Sequence, residues 1–276
     1  MPLSKEAIQH IEAQAIAAAA KPIHVDDGST VVVLPDNVLL HKLEQFQPGR
    51  DRFRGALKTH ALRDFARYVE RHVSDETESP AGFIDQDAMS ATVIFNLGKP
   101  TSAGHGDDTA TLTLKPTAAY SAVLAIVGRK LSQQELAEWM EDWAPHIQAM
   151  AGDEQLPIAQ AINGIRKMTI KATAQRDSSV GDFSASRSAM DEIEAKSQDV
   201  LASALHFTTV PFEGLMPATL PLRLSVLTGN DTPVLKLRWV GEESQREGFA
   251  REFQGVLEKE VGGFVPLTLG TFNLGK

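Results

Sequence analysis

Apolar residues recur with two different periods along this chain, and the switching between them predicts its elements. In 109–115, Ala110, Leu112 and Leu114 alternate with Thr111, Thr113 and Lys115. That two-residue period belongs to a strand with one buried face. The same period runs through Leu222, Leu224 and Val226 in 220–227, and through Leu235, Leu237 and Trp239 in 234–240. Thr228-Gly229-Asn230-Asp231 lies between these two runs and predicts a hairpin turn. β-Branched or apolar runs predict further strands at 30–34, 91–97, 167–173 and 265–272, the first ended by Pro35. The strand at 91–97 is expected to pair antiparallel with 109–115 across a Gly-, Ser- and Asp-rich tip at 98–108.

Elsewhere the spacing is three and four, which predicts helices with one buried face. Leu62, Phe65, Ala66 and Val69 mark a helix over 59–72, and Phe249, Phe253, Val256 and Leu257 mark one over 244–261. Ser132-Gln133-Gln134-Glu135 fits the capping box, in which the serine and the glutamate satisfy each other's backbone donors. Leu136, Met140, Trp143 and Ile147 extend that helix to about residue 150. An alanine-rich helix over 3–20 takes Ser4 as its N-cap and carries few large apolar residues, Ile8, Ile11 and Ile16, which suit a contact with a neighbouring subunit. A short helix is expected near 158–163, polar loops at 74–82 and 178–188, and a weakly patterned helix at 186–204.

Strands joined by hairpin turns, with helices interposed singly, predict an α+β fold whose sheet is mainly antiparallel. The organisation expected is an N-terminal helical arm (1–22) and an α+β domain or first half (23–175). A serine-rich linker and helix (176–205) then leads to a C-terminal hairpin, helix and strand (206–276) on the same core. No repeat of fixed period is present.

One segment breaks the pattern. Between Gly49 and Gly55, Arg50, Arg52 and Arg54 occupy alternate positions in a chain whose net charge is −9. On an extended strand all three would share a face, with Asp51 and Phe53 on the other. Planar guanidinium forks suit carboxylates or phosphates. Arg63, Arg67 and Arg71 then recur at i, i+4 and i+8 on the helix that follows. Residues 47–72 hold seven basic side chains against three acidic ones, so this stretch is +4 and the remainder −13. Such asymmetry suits an anionic partner or an acidic surface of another subunit. A solvated helix face laced with ion pairs also accounts for it and, as the commoner arrangement, is the favoured reading.

The remaining composition mostly excludes. The absence of cysteine removes disulfides, thiolate nucleophiles, zinc ribbons and iron–sulfur clusters. The eight histidines fall at no metal-ligand spacing, and no HExxH occurs, so no metal or cofactor is expected. His105-Gly106-Asp107-Asp108 is the one cluster of ligand types, and a glycine-flanked acidic turn is most often a solvated loop. GxSxG, GxxxxGK[ST] and GxGxxG are all missing. No apolar run is long enough to span a membrane. Arg50, Arg52, Phe53 and Arg54 mix basic and aromatic groups as single-strand binders do, though one aromatic makes no stacking platform.

The order of these features resembles the YfdQ-like proteins of phages and prophages, a family without an assigned function. The likeness runs over about 25–272 and is most specific in the arginine segment and in "LSQQELAEWMEDWAPHI". It continues through "LRLSVL", "VLKLRWV" and "FAREFQGVLEKEV". The resemblance implies a phage or prophage origin and a bacterial cytoplasmic location, and it implies no catalytic residue.

The expectation drawn from residues and resemblance together is a non-enzymatic phage accessory protein. It forms homo-oligomers and binds or sequesters a host protein or an anionic ligand. The alternative is a nucleic-acid factor that contacts phosphates through the basic region, with Arg50, Arg52, Arg54, Arg63 and Arg67 as the binding residues. A hydrolase whose site is scattered along the chain is a third reading.

Overall fold

The computed structural model describes residues 4–19, 23–24, 30–31, 44, 47–73, 79–168, 201–227 and 233–275. The chain divides into two units, Met1–Phe53 and Arg54–Lys276. In the first, helix α1 (Lys5–Ala19) starts at Ser4, whose hydroxyl accepts from the Ala7 N–H at 3.2 Å. Ile8 and Ile11 on this helix are 53% and 56% exposed. Strands β1 (Ile23–His24) and β2 (Thr30–Val31) form a short antiparallel pair. The rest of the strand expected at 30–34, and the turn at 26–28, lie outside the described residues.

The second unit is α+β, built on two five-stranded sheets. The first sheet takes β3 (Gly55–Thr59), β4 (Ala81–Asp85), β5 (Ser90–Ile94), β8 (Asp108–Thr113) and β14 (Leu267–Leu269), in the order β14-β4-β5-β8-β3. Its two outer pairs are parallel and its inner pairs antiparallel. The alternation seen in the sequence places Asp108, Ala110 and Leu112 on the buried face of β8. A small hairpin, β6 (Gly98–Lys99) with β7 (Ser102–Ala103), occupies the expected tip between β5 and β8.

The second sheet is antiparallel throughout. It orders β10 (Glu154–Leu156), β9 (Ile147–Ala151), β11 (Ala204–Thr209), β12 (Ala218–Leu227) and β13 (Val234–Trp239) as β10-β9-β11-β12-β13. The β12–β13 pairing runs from Leu222 opposite Trp239 to Leu227 opposite Val234, as their matched alternation requires. The turn itself lies outside the described residues.

Helix α2 (Leu62–His72) buries Phe65, Ala66 and Val69 and leaves Arg63, Arg67 and Arg71 exposed. Helix α3 (Ala118–Ile126) begins at Thr117, which accepts from the Tyr120 N–H and donates to the Val210 carbonyl at 2.6 Å. Helix α4 (Gln133–Asp142) carries the complete capping box. Helix α5 (Ile158–Lys167) packs on α4, and α6 (Glu242–Glu260) buries Phe249, Phe253 and Leu257. These faces meet the strands in one hydrophobic cluster that includes Leu112, Leu136, Phe207 and Leu237.

Several sequence expectations change. The helix expected to reach 150 stops at Asp142, because Pro145 cannot continue it and disfavours helical backbone before it. Residues 144–146 form a single 3₁₀ turn, and Ile147 is buried in β9 instead of on a helix face. Residues 81–82 belong to β4, not to the polar loop assigned to 74–82. Lys167 ends α5, so the strand expected over 167–173 does not begin there, and 169–173 lie outside the described residues. The segments 178–188 and 186–200 also lie outside them, while Ala204 starts a strand.

Candidate functional site

The arginine segment is not a strand. Residues 47–54 follow a course of bends, and β3 starts only at Gly55, where the Gly55 N–H donates to the Asp107 carbonyl. The reason lies on the opposite side of the ladder. Strand β8 begins at Asp108, opposite Gly55, and just before it the chain turns away through Gly106 at φ +63°. Residues upstream of Gly55 therefore find no described strand to pair with. The Asp51 N–H is held instead by the Glu44 carboxylate at 3.2 Å. Arg50 is exposed, Arg52 and Arg54 are half-buried, and none of the three is without a partner. Phe53 is 64% exposed.

The α2 arginines differ. Arg63, Arg67 and Arg71 are all exposed, and among the described residues none of them forms an ion pair. Among the described residues, the ion-pair lacing that would make this an ordinary solvated face is therefore missing. It occurs elsewhere, in Arg246–Glu242 and Arg166–Glu141, each at 2.8 Å. A step of four residues rises about 6 Å along a helix, so the three guanidinium stems spread over about 12 Å. Acidic side chains on α2 are Asp64 and Glu70.

On another flank of α2 the structure assembles a group that sequence reasoning missed. His72 Nε2 lies 2.7 Å from Asp108 Oδ2. Asp108 is buried, and its Oδ1 has no hydrogen-bond partner. Tyr68 stacks on His72 one turn away at 4.9 Å, and Phe95 closes on the imidazole at 4.3 Å. Asn96 clamps the loop, accepting from the Asp108 N–H and donating to the Asp107 carboxylate. Burial first, and the Asp108 charge second, push the Tyr68 hydroxyl above its ordinary value. His105 and Asp107 of the same tetrapeptide are exposed, and Asp108 is its buried acid. The signal was available. Inward alternation at Leu114, Leu112 and Ala110 reaches Asp108 when carried back one step, and His72 follows Val69 by three on the buried face.

A cleft of about 770 Å³ opens between the β4–β5 turn and α6. Tyr120, Phe212 and Phe249 form its aromatic floor. The charged side chains lining it are Asp87, Glu243, Glu247, Arg246 and Arg251. Arg246 is already engaged, by Glu242 and by the Trp239 ring 5.6 Å away. Trp239 is fixed in turn by its indole N–H to Gln245 Oε1. Burial raises the Tyr120 hydroxyl pKa, with Arg246 opposing and Glu242 reinforcing the shift. No group of three or more His, Asp or Glu side chains among the described residues is arranged to hold a metal ion. No helix among them is long and apolar enough to cross a membrane.

No curated protein and no solved structure matches this chain. Residues 4–272 match a family described as an uncharacterized conserved protein, and on that match the chain belongs to the DUF2303 family.

Proposed function

We propose that this protein is a non-catalytic binding protein that takes an anionic ligand on the arginine face of α2 and associates with copies of itself. The observation that carries the reading is that Arg63, Arg67 and Arg71 are exposed in register and unpaired among the described residues. Three like charges on one helix face repel one another unless anions neutralise them. Arg246 on α6 and Arg166 on α5 are paired with acids, whereas among the described residues these three are not. Arg50, Arg52 and Arg54 each have a partner, so the proposal rests on α2 and not on them. Self-association is supported by Ile8 and Ile11 on α1 and by the separation of +4 in 47–72 from −13 elsewhere. A phage or prophage accessory role in the bacterial cytoplasm follows from the YfdQ-like sequence pattern and belongs to the same proposal.

A second reading, a nucleic-acid factor, is favoured by the spread of the guanidiniums along about 12 Å of helix, which suits consecutive phosphates of a flexible strand. Fluorescence anisotropy with a labelled single-stranded oligonucleotide and with inorganic polyphosphate tests both readings. Binding to both polyanions, weakened at least tenfold by Arg67→Glu, is expected for a general anion site. Binding confined to the oligonucleotide favours the second reading. A folded wild-type protein that binds neither polyanion contradicts both.

A further inference from the structure

Independently of the α2 face, we infer that the cleft beside α6 is a small-molecule site for a zwitterionic aromatic ligand of the amino-acid kind. The inference starts from Tyr120. This residue is 1% exposed, yet among the described residues its hydroxyl makes no hydrogen bond. A buried tyrosine ordinarily gives its O–H a partner. The Tyr120 oxygen is not among the sealed, unsatisfied atoms, which are Asp108 Oδ1 and Trp139 Nε1, and Tyr120 lines the cleft. Its unused donor and acceptor capacity therefore opens onto that space.

The surroundings specify the class of ligand. The Tyr120 ring meets Phe212 at 5.5 Å and Phe249 at 6.0 Å, both edge to face. An added aromatic ring continues the same packing at the cleft floor. Charges of both signs line the same cleft. Among the described residues the Arg251 guanidinium makes only a long Nε–H bond, 3.4 Å, to the Glu247 carbonyl, and forms no ion pair. It is free to take a carboxylate. The Asp87, Glu243 and Glu247 carboxylates form no ion pair among the described residues either, and suit an ammonium group. A purely anionic or purely cationic ligand would face one repelling set, whereas a zwitterion satisfies both. The cleft volume, about 770 Å³, lies in the usual range of ligand pockets and leaves room beyond one amino acid for a short peptide extension.

L-Tryptophan is the probe. Isothermal titration into the full chain is expected to give saturable one-to-one binding, with indole and N-acetyl-L-tryptophan each weaker. Tyr120→Phe keeps the ring and removes the hydroxyl, and should weaken L-tryptophan about fivefold, the worth of one neutral hydrogen bond. Arg251→Gln should weaken it about tenfold, as loss of a charge-assisted bond does. The triple variant Arg63→Gln, Arg67→Gln, Arg71→Gln should bind L-tryptophan like the wild type, which separates this site from the α2 face. In the wild type alone, the Trp239 indole N–H resonance should shift on titration, so the test does not depend on variants that fail to fold. Absence of saturable binding up to the solubility limit, or equal affinity in folded Tyr120→Phe and Arg251→Gln proteins, overturns the assignment.

Discussion

At the scale of single residues, Asp108 shows how burial and unsatisfied chemistry combine. Its Oδ2 holds His72, while Oδ1 stays buried and unpaired, which costs about 1–3 kcal/mol of desolvation. The same carboxylate fixes the imidazole between Tyr68 and Phe95. Asp108→Ala should destabilise the protein by about 1–3 kcal/mol in urea unfolding, with the partial exposure of His72 limiting the effect. An unchanged midpoint would show that the dyad does not support the fold. The capping box offers a sharper case. Ser132→Ala should cost about 1 kcal/mol by orphaning the Glu135 N–H. The Ser132 backbone N–H, bonded at 2.7 Å, and then the Ser132 hydroxyl hold the Glu135 carboxyl below its usual 4.5. A depressed carboxylate stabilises the fold above its unfolded pKa and loses that contribution as pH falls through the folded value. Glu135→Ala should therefore be less stable than the wild type at pH 7, and the difference should close below pH 4.5. A difference that persists at low pH would place the effect in packing instead.

At the scale of elements, the small hairpin between β5 and β8 depends on two glycines. Gly98 sits at φ +77°, and a Cβ on Gly104 would fall 2.1 Å from the Asn96 carbonyl oxygen. Backbone cannot yield there as a side chain could. Gly104→Ala should cost about 1–3 kcal/mol, read by thermal unfolding. It should also disturb Asn96, which holds both Asp107 and the start of β8. The sequence was readable wherever period and burial coincided, as in β8, β12, β13, α2 and α6. It misled where apolar spacing ran on past a break. Leu136, Met140, Trp143 and Ile147 keep helical spacing across Pro145, so β9 was hidden inside an extended helix. Helix α3 was missed because alanines occupy its exposed positions 118 and 125 as well as buried position 119, which blurs the period. With α3 unseen, Tyr120 and the cleft it floors were unseen as well. The α2 arginine stripe was legible from its spacing, but its lack of ion pairs among the described residues needed three dimensions.

At the scale of the whole molecule, charge is the organising variable. Along the sequence, 47–72 carries +4 and the remainder −13, and unlike patches on identical chains attract. Light scattering at low salt should give a mass that is a multiple of 29.9 kDa, falling toward the single-chain value as salt screens the contact. A mass of 29.9 kDa at every salt and protein concentration would rule out self-association. The central claim is that the three exposed guanidiniums on α2 meet anions, and its most direct test is the salt dependence of oligonucleotide binding. Neutralising three phosphates of a single strand gives a slope of log K against log salt of about −2. The wild type should reach at least that slope. The triple variant Arg63→Gln, Arg67→Gln, Arg71→Gln should bind more weakly, with a slope about 2 units shallower. Equal slopes in the two folded proteins would contradict the assignment of α2 as the anion-binding face.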